Sequence, residues 1–398
     1  MNMLDRIHEA MPRAELQRLQ LERLQALVSR LTRHVRRYRE RLGSFRPTQL
    51  SDLPKIPPTT VDDLLAAFPY GMFALPLREA IRLHAVNGPG GKPLVLGFSR
   101  NDLTHWGRLV ARQLAAIGVT AHDVIQIGFS AGTFNPALGY LLGAESLEAS
   151  VIPQDPFHIE QQLQMLRNYR STVLITTPNN ALDLARLLDS RCMDPQSLSL
   201  RVVLLTRCVA AEDRDRIAEG LATPVHATFG VPEVLDPGLV VECDKGHLHL
   251  NEDHFLAETD TNGELLITTL CRESMPLLRY RTRLGCVLDS ETRCNCGRTG
   301  RILIAGTPMD DRLRVNEITL YPEQLKAVLR QTRASSLPME WEINDRCIQI
   351  SLQVKSEVFS DTMRVLDELK NEVVTECFAR LGIQVNVRFT NPRQGRCD

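Results

Sequence analysis

No stretch of this 398-residue chain is apolar for long enough to span a bilayer, and residues 1–12 lack the apolar segment of a secretory leader. The expected setting is therefore cytoplasmic, with no membrane partner. A surplus of one charge is lacking as well: 47 Lys and Arg face 48 Asp and Glu, a net charge of −1. Such a balance gives no overall field for nucleic acid. Internal repeats and low-complexity tracts are absent, which excludes a repeat architecture. Ten cysteines in a chain this long do not make a disulfide scaffold; in a reducing compartment, clustered ones are metal ligands or inert core residues. What is there is an ordinary globular composition, 43% hydrophobic and 24% charged, in a chain long enough for a large core and more than one domain.

Leu16, Leu19, Leu21, Leu24, Leu27 and Leu31 predict a helix over residues 14–42, and the arginines around them read as its solvated face rather than a nucleic-acid patch. Strands are expected at 80–85 and 94–98, then a helix at 101–117. From Val124 the chain alternates: strand 124–129, helix 132–147, strand from Val151, helix 159–169, strand 172–176, then strands at 200–205 and 225–228. That alternation implies parallel strands with crossover helices. From Leu239 to Thr269 strands follow one another through turns such as D-T-N-G, which predicts an antiparallel part. After Asp310 come a helix at 321–331, two strands within 339–354, a long helix at 357–381 and a strand at 383–389, a small α+β unit.

The most informative stretch is V-N-G-P-G-G-K-P, Val86 to Pro93, between two expected strands. Glycines in a short loop let backbone N–H groups approach a phosphate while a lysine neutralises it; a plain turn would use the same residues. Its flanks, F-P-Y-G-M-F-A-L-P and L-G-F-S-R-N-D-L, carry a resemblance, as do T-T-P-N-N-A-L (176–182), E-D-H-F (252–255) and T-T-L-C-R-E-S-M-P-L-L-R-Y-R-T-R (268–283). Together they resemble the phenylacetate–CoA ligase branch of the adenylate-forming enzymes over nearly the whole chain. The resemblance implies an α/β fold with a large N-terminal domain, 1–309, whose region 239–300 is antiparallel, and a small C-terminal lid, 310–398. It also implies a reaction: a carboxylate and Mg-ATP give an acyl-adenylate, which coenzyme A converts to a thioester.

Carried over residue by residue, the resemblance assigns Lys92, with Gly88, Gly90 and Gly91, to the phosphate loop. It assigns Glu233 of F-G-V-P-E to magnesium, with Phe229 and Gly230 beside the nucleotide. Asp253, Arg281 and the hinge-like Asp310 fall near the cleft. The departures are as consistent as the matches. Val86, Asn87, Pro89 and Gly90 replace the loop's hydroxyl residues. Thr206 to Ala210 replace the adenine-contacting segment. Leu284 replaces the ribose-binding Asp, and leucine accepts no hydrogen bond. The Arg of the next motif is lost in G-T-P-M-D-D. Arg396 is the nearest cation to the family's late lysine, and Leu141-Leu142 replace the aryl-pocket H-Y. These losses fall on the ligands' contacts while frame residues such as Pro178 and Pro276 stay.

Cys294-Asn295-Cys296-Gly297 places two thiolates in a tight glycine turn, half of a tetrahedral zinc site. Cys243 and His249 are the best candidates for the other half. A similar Cys/His arrangement occurs as a structural zinc site in part of the resembling family, where His249 fits better than His247. Reduced, buried cysteines are the other reading. Two functions stay open at this point. One is a ligase using Mg, ATP and CoA on an aryl or acyl carboxylate, with Glu233, Lys92 and Arg396 as catalytic groups. The other is a non-catalytic relative that binds a carboxylate or acyl-CoA, or serves as a regulatory or partner subunit. A homodimer or a protein partner fits either.

Overall fold

A computed structural model describes residues 2–129, 136–154, 158–315, 318–343, 347–354 and 363–390. The runs Val173–Thr176 and Val202–Leu205 are apolar at nearly every position because both faces are covered, and every one of their residues is buried. They form a five-stranded parallel sheet in the spatial order Ser150–Gln154, Val124–Gly128, Val173–Thr176, Val202–Leu205, Val225–Ala227. The first crossover runs to one side and the later ones to the other, so the strand order reverses beside Val124–Gly128. In such sheets ligands collect beyond the carboxyl ends of the strands near that reversal. The crossover helices start as the sequence dictates. Pro178 opens the helix Pro178–Ser190 at a position whose N–H needs no partner, and Thr177 Oγ1 accepts from Asn180 N at 3.2 Å.

The expected antiparallel part is a six-stranded sheet in the order Phe255–Thr259, Glu264–Thr269, Tyr280–Asp289, Ile302–Pro308, Leu248–Leu250, Val240–Glu242. The helix Arg100–Ala116 is fixed at its start by a reciprocal Ser99/Asp102 cap. Asp102 also accepts from Glu273 N (2.7 Å) and Ser274 N (3.0 Å), which ties this helix to the 268–283 motif.

The single helix expected over 14–42 is two helices, Arg13–His34 and Arg36–Leu42. Val35 between them is extended (φ −111°, ψ 110°) and fully buried. No Gly or Pro marks the break. The gain is tertiary: Tyr38 reaches Thr59 Oγ1 at 2.8 Å inside the core.

Two compact units divide the chain, Met1–Val86 with Leu94–Asp310, and Asn87–Pro93 with Asp311–Asp398. The second has its own core, including Leu325, Ile350, Leu352, Val373 and Val387. Its sheet pairs Met339–Ile343 antiparallel and Val385–Thr390 parallel to the central strand Ile348–Gln353, with the helices Pro322–Leu329 and Met363–Leu381 beside it. The glycine-rich loop is grouped with this unit, where Asn87 Nδ2 donates to Thr319 O at 2.8 Å. Among the described residues no helix is long and apolar enough to cross a membrane.

Candidate active site and metal centre

The segment Phe229–Glu233 leaves the carboxyl edge of the parallel sheet directly after Val225–Ala227. Gly230 is required there, because a Cβ would lie 2.4 Å from Asp236 Oδ1. Phe229 is half-buried against the core. Glu233 is buried, and its Oε1 accepts from Tyr280 OH (3.0 Å) and Arg283 Nη2 (2.7 Å). The other end of the same guanidinium, Nη1, donates to Asp310 Oδ2 at 2.9 Å. Glu233 and Asp310 are thus brought together, with Arg283 as the cation between two carboxylates.

Arg283 reaches that position because its backbone is left-handed (φ +59°), which interrupts the strand's alternation and turns its side chain to the Tyr280 side. Arg281, two residues earlier, is not brought to this group. It faces outward, with Nε on Glu264 Oε2 (2.8 Å) and Nη2 on Asp260 Oδ2 (2.6 Å). Leu284 is half-buried and packs against the core. Arg272 is buried with its guanidinium 4.4 Å over the Phe98 ring. It donates to the carbonyls of Gly97 (3.3 Å) and Val234, which holds the Glu233 turn against the strand Pro93–Phe98. Burial pulls this guanidinium down to about 10.

Beyond the next two strand ends lie the buried Thr206 and Thr228, whose hydroxyls have no partner among the described residues. Cys208 Sγ contacts Thr228 O at 3.6 Å, and burial pushes its thiol up to about 11, so it stays protonated at neutral pH. Unpartnered hydroxyls at the carboxyl edge of a parallel sheet are groups that a polar ligand would satisfy.

In the glycine-rich loop, Gly88 N donates to Lys92 O (2.9 Å) and Gly91 N to Gly88 O (3.2 Å), so two N–H groups of the expected cradle are used within the loop. Gly90 lies in its single 3-10 turn, Pro89–Gly91, and Lys92 is exposed. Asp253 is buried elsewhere, with both carboxylate oxygens 3.0 Å from Arg112. Burial pushes its carboxyl up, but His254 and Arg112 beside it hold it down, at about 2. The expected cation Arg396 lies outside the described residues.

Cys243, His249, Cys294 and Cys296 converge, with ligand atoms within 4.8 Å of one another. Cys243 Sγ and Cys294 Sγ are 3.7 Å apart, and Cys296 Sγ is 3.3 Å from His249 Nε2. Two thiolates about 2.3 Å from a tetrahedral zinc ion lie about 3.8 Å apart, so the donor set fits that ion. His249 Nδ1 lies 2.9 Å from Gly300 O, which fixes the tautomer that leaves Nε2 as the ligand. Backbone N–H groups of Lys245 and Arg298 point at Cys243 Sγ and Cys296 Sγ, each at 3.4 Å, and would stabilise thiolates. His247 sits outside this set with Nδ1 3.2 Å from Cys294 Sγ. Burial, then the neighbouring Cys296 and Cys243 sulfurs, push the Cys294 thiol up to about 12.

Arg283, Tyr280 and Arg272 are the site residues that sequence reasoning missed. All three lie in the one long motif, 268–283, in which the sequence singles out Arg281 rather than these side chains.

No family model matches the chain. It is 37% identical to the phenylacetate-coenzyme A ligase of Thermus thermophilus, the match covering 97% of this chain and 95% of that one. It is 32% identical to the phenylacetate-coenzyme A ligase of Escherichia coli K12, covering 95% and 91%. A 2-hydroxyisobutyryl-CoA ligase, solved in complex with 2-HIB-AMP and CoA, superposes with a TM-score of 0.83 at 22% identity, covering 98% of this chain and 90% of that one. The fold is that of the adenylate-forming CoA ligases.

Proposed function

The chain belongs to the phenylacetate–coenzyme A ligase family of adenylate-forming proteins, and from that membership we propose a divergent ligase whose nucleotide chemistry is weakened or lost while its frame for a carboxylate or acyl-CoA is kept. The family reaction would join an aryl or acyl carboxylate to AMP with release of pyrophosphate, then pass the acyl group to CoA. Glu233 would hold magnesium in that reaction and Lys92 would neutralise phosphate.

The observation that carries this reading is Leu284, a half-buried side chain that accepts no hydrogen bond, at the place where the resemblance puts a ribose-binding carboxylate; beside it the Arg283 guanidinium is seated between Glu233 and Asp310. A magnesium ion at Glu233 Oε1 would have to displace a charge-assisted hydrogen bond, worth about 1.5–3 kcal/mol. Leu284, where the family's ribose carboxylate stands, adds no compensating contact. The remaining role is that of a binding, regulatory or partner subunit.

One observation favours retained catalysis. Tyr280 and Arg283 both donate to Oε1 of Glu233, and among the described residues no hydrogen bond reaches Oε2, so that oxygen is available to a cation. Calorimetry with Mg-ATP, followed by a pyrophosphate-release screen over aryl carboxylates, separates the two. No binding at millimolar ATP is the expected result. Micromolar binding with carboxylate-dependent pyrophosphate release that Glu233→Gln abolishes would establish the catalytic alternative.

Zinc at Cys243, His249, Cys294 and Cys296 would be structural. Three thiolates and one imidazole complete a tetrahedron and leave no open position for substrate.

A further inference from the structure

A cavity of about 370 Å³ lies in the larger unit, away from Glu233 and lined by the buried Asp253–Arg112 pair together with Asp5, Arg23, His105 and Arg108 among others. Its size falls in the range of small-molecule sites. Its charges do not cancel. Arg112 consumes both carboxylates, with Asp253 on two nitrogens (3.0 and 3.0 Å) and Asp5 Oδ2 on Nη2 (2.7 Å). Arg23 hydrogen-bonds only the backbone carbonyl of Asp253, and Arg108 is exposed; neither has an ion pair among the described residues. The lining thus holds three guanidiniums against two carboxylates, one positive charge in excess, and Arg23 and Arg108 are the two without an ion pair among the described residues. His105 lines the same cavity, and its buried Nδ1 has no partner among the described residues. Its ring packs edge-on against His254, centroids 5.2 Å apart. Leu4, Cys271 and the two imidazole faces supply an apolar side.

We propose that this cavity is a second ligand site that takes a small organic phosphate, its phosphate held by Arg23 and Arg108 and its organic part against Leu4, Cys271, His105 and His254. The excess positive charge attracts an anion, and the planar forks of Arg23 and Arg108 suit a tetrahedral oxyanion. His105 Nδ1 gains in the complex the partner it lacks in the free protein. The site is independent of the nucleotide chemistry at Glu233. Its far wall hangs on the metal turn. Glu9, one turn beyond Asp5, forms a buried ion pair with Arg298 (2.8 Å), and Thr299 N donates to Glu9 O (3.0 Å).

The test is calorimetric titration of the full-length, zinc-replete protein with phenyl phosphate and inorganic phosphate, and with benzoate as the monoanionic control. Phenyl phosphate should bind saturably, one per chain, and more tightly than either of the others. Arg108→Gln and Arg23→Gln should each weaken it roughly tenfold or more, the loss of one charge-assisted hydrogen bond, with unchanged circular dichroism. Lys92→Gln should leave it unaltered. Absence of saturable binding up to about 10 mM would overturn the site. So would loss of binding in Lys92→Gln with Arg108→Gln unaffected, which would place the phosphate at the glycine loop. Equal affinity for inorganic phosphate overturns the organic part of the assignment, and equal affinity for benzoate overturns the phosphate.

Discussion

Leu284 stands where the resemblance to the ligase family expects a ribose-binding carboxylate, and its neighbour Arg283 joins Glu233 to Asp310. Leu284→Asp should restore an acceptor for ribose hydroxyls. ATP binding, absent in the wild type at millimolar concentration, should become detectable by calorimetry, at a cost of about 1 kcal/mol in stability because Leu284 is half-buried. Binding that stays undetectable would show that the nucleotide does not reach this strand. The placement of Glu233 was legible in F-G-V-P-E. That of Arg283 was not: period-two alternation pairs it with Arg281, and only the left-handed φ of +59° separates the two. Nothing in Y-R-T-R-L announces that backbone state, since no glycine is present.

His254 sets a different residue-scale expectation. Burial pulls its imidazole from 6.5 to about 3, with Arg112 and His105 acting in the same direction and Asp253 against. The unfolded chain takes this proton near pH 6.5 and the fold refuses it until about 3. Stability contributed by the neutral ring is therefore complete above pH 6.5 and falls as pH drops below it, by up to about 1.4 kcal/mol per pH unit. Asp253 has the depressed-carboxylate sign: its contribution is intact above about 3.8 and is lost only as pH falls toward about 2. Thermal melts at about pH 7 and 5 should differ in the wild type, and the difference should shrink in His254→Gln. An equal drop in both proteins would place the acid sensitivity elsewhere.

At the scale of elements, the turn 294–297 is the part the sequence stated most openly, since a C-x-C-G spacing has few other uses. Cys294→Ser should lower bound zinc, measured by elemental analysis, and the melting temperature together; wild-type protein of normal stability without metal would contradict the structural role. The connection from this turn to the first helices was not legible. Glu9 and Arg298 are 289 residues apart, and both side chains are buried, at 3% and 4% exposure. Arg13 and Arg301 similarly flank Glu252, at 2.6 and 2.8 Å. Glu9→Ala would leave Arg298 buried without a counter-charge, a loss on the order of 3 kcal/mol. A denaturation midpoint shifted by less than a third of that would mean water reaches the guanidinium. The broken helix at Val35 belongs here too: apolar spacing continues through the break at Leu31, Val35, Tyr38 and Leu42, and the cause is the distant Thr59 pocket for Tyr38.

For the whole molecule, two units with separate cores predict two calorimetric transitions rather than one. Chelation of zinc should lower only the transition of the larger unit, which holds all four candidate ligands. A single transition that moves as one would show that the cores melt together. The alternation of strands and helices and the change of texture after Asp310 were readable because periodicity reports burial directly. How the glycine loop groups was not, because grouping depends on contacts such as Asn87 with Thr319, 232 residues away in sequence.

The clasp on Glu9 has a consequence for how the chain is made. Synthesis at about 5–20 residues per second leaves roughly 15 to 60 seconds between the emergence of Glu9 and that of Arg298. For that interval the opening helices carry buried-type groups, Leu16, Leu24 and Leu31 among them, with their distant partners still unmade. The nascent chain must wait for its own far end, and in that window a chaperone finds its clearest target.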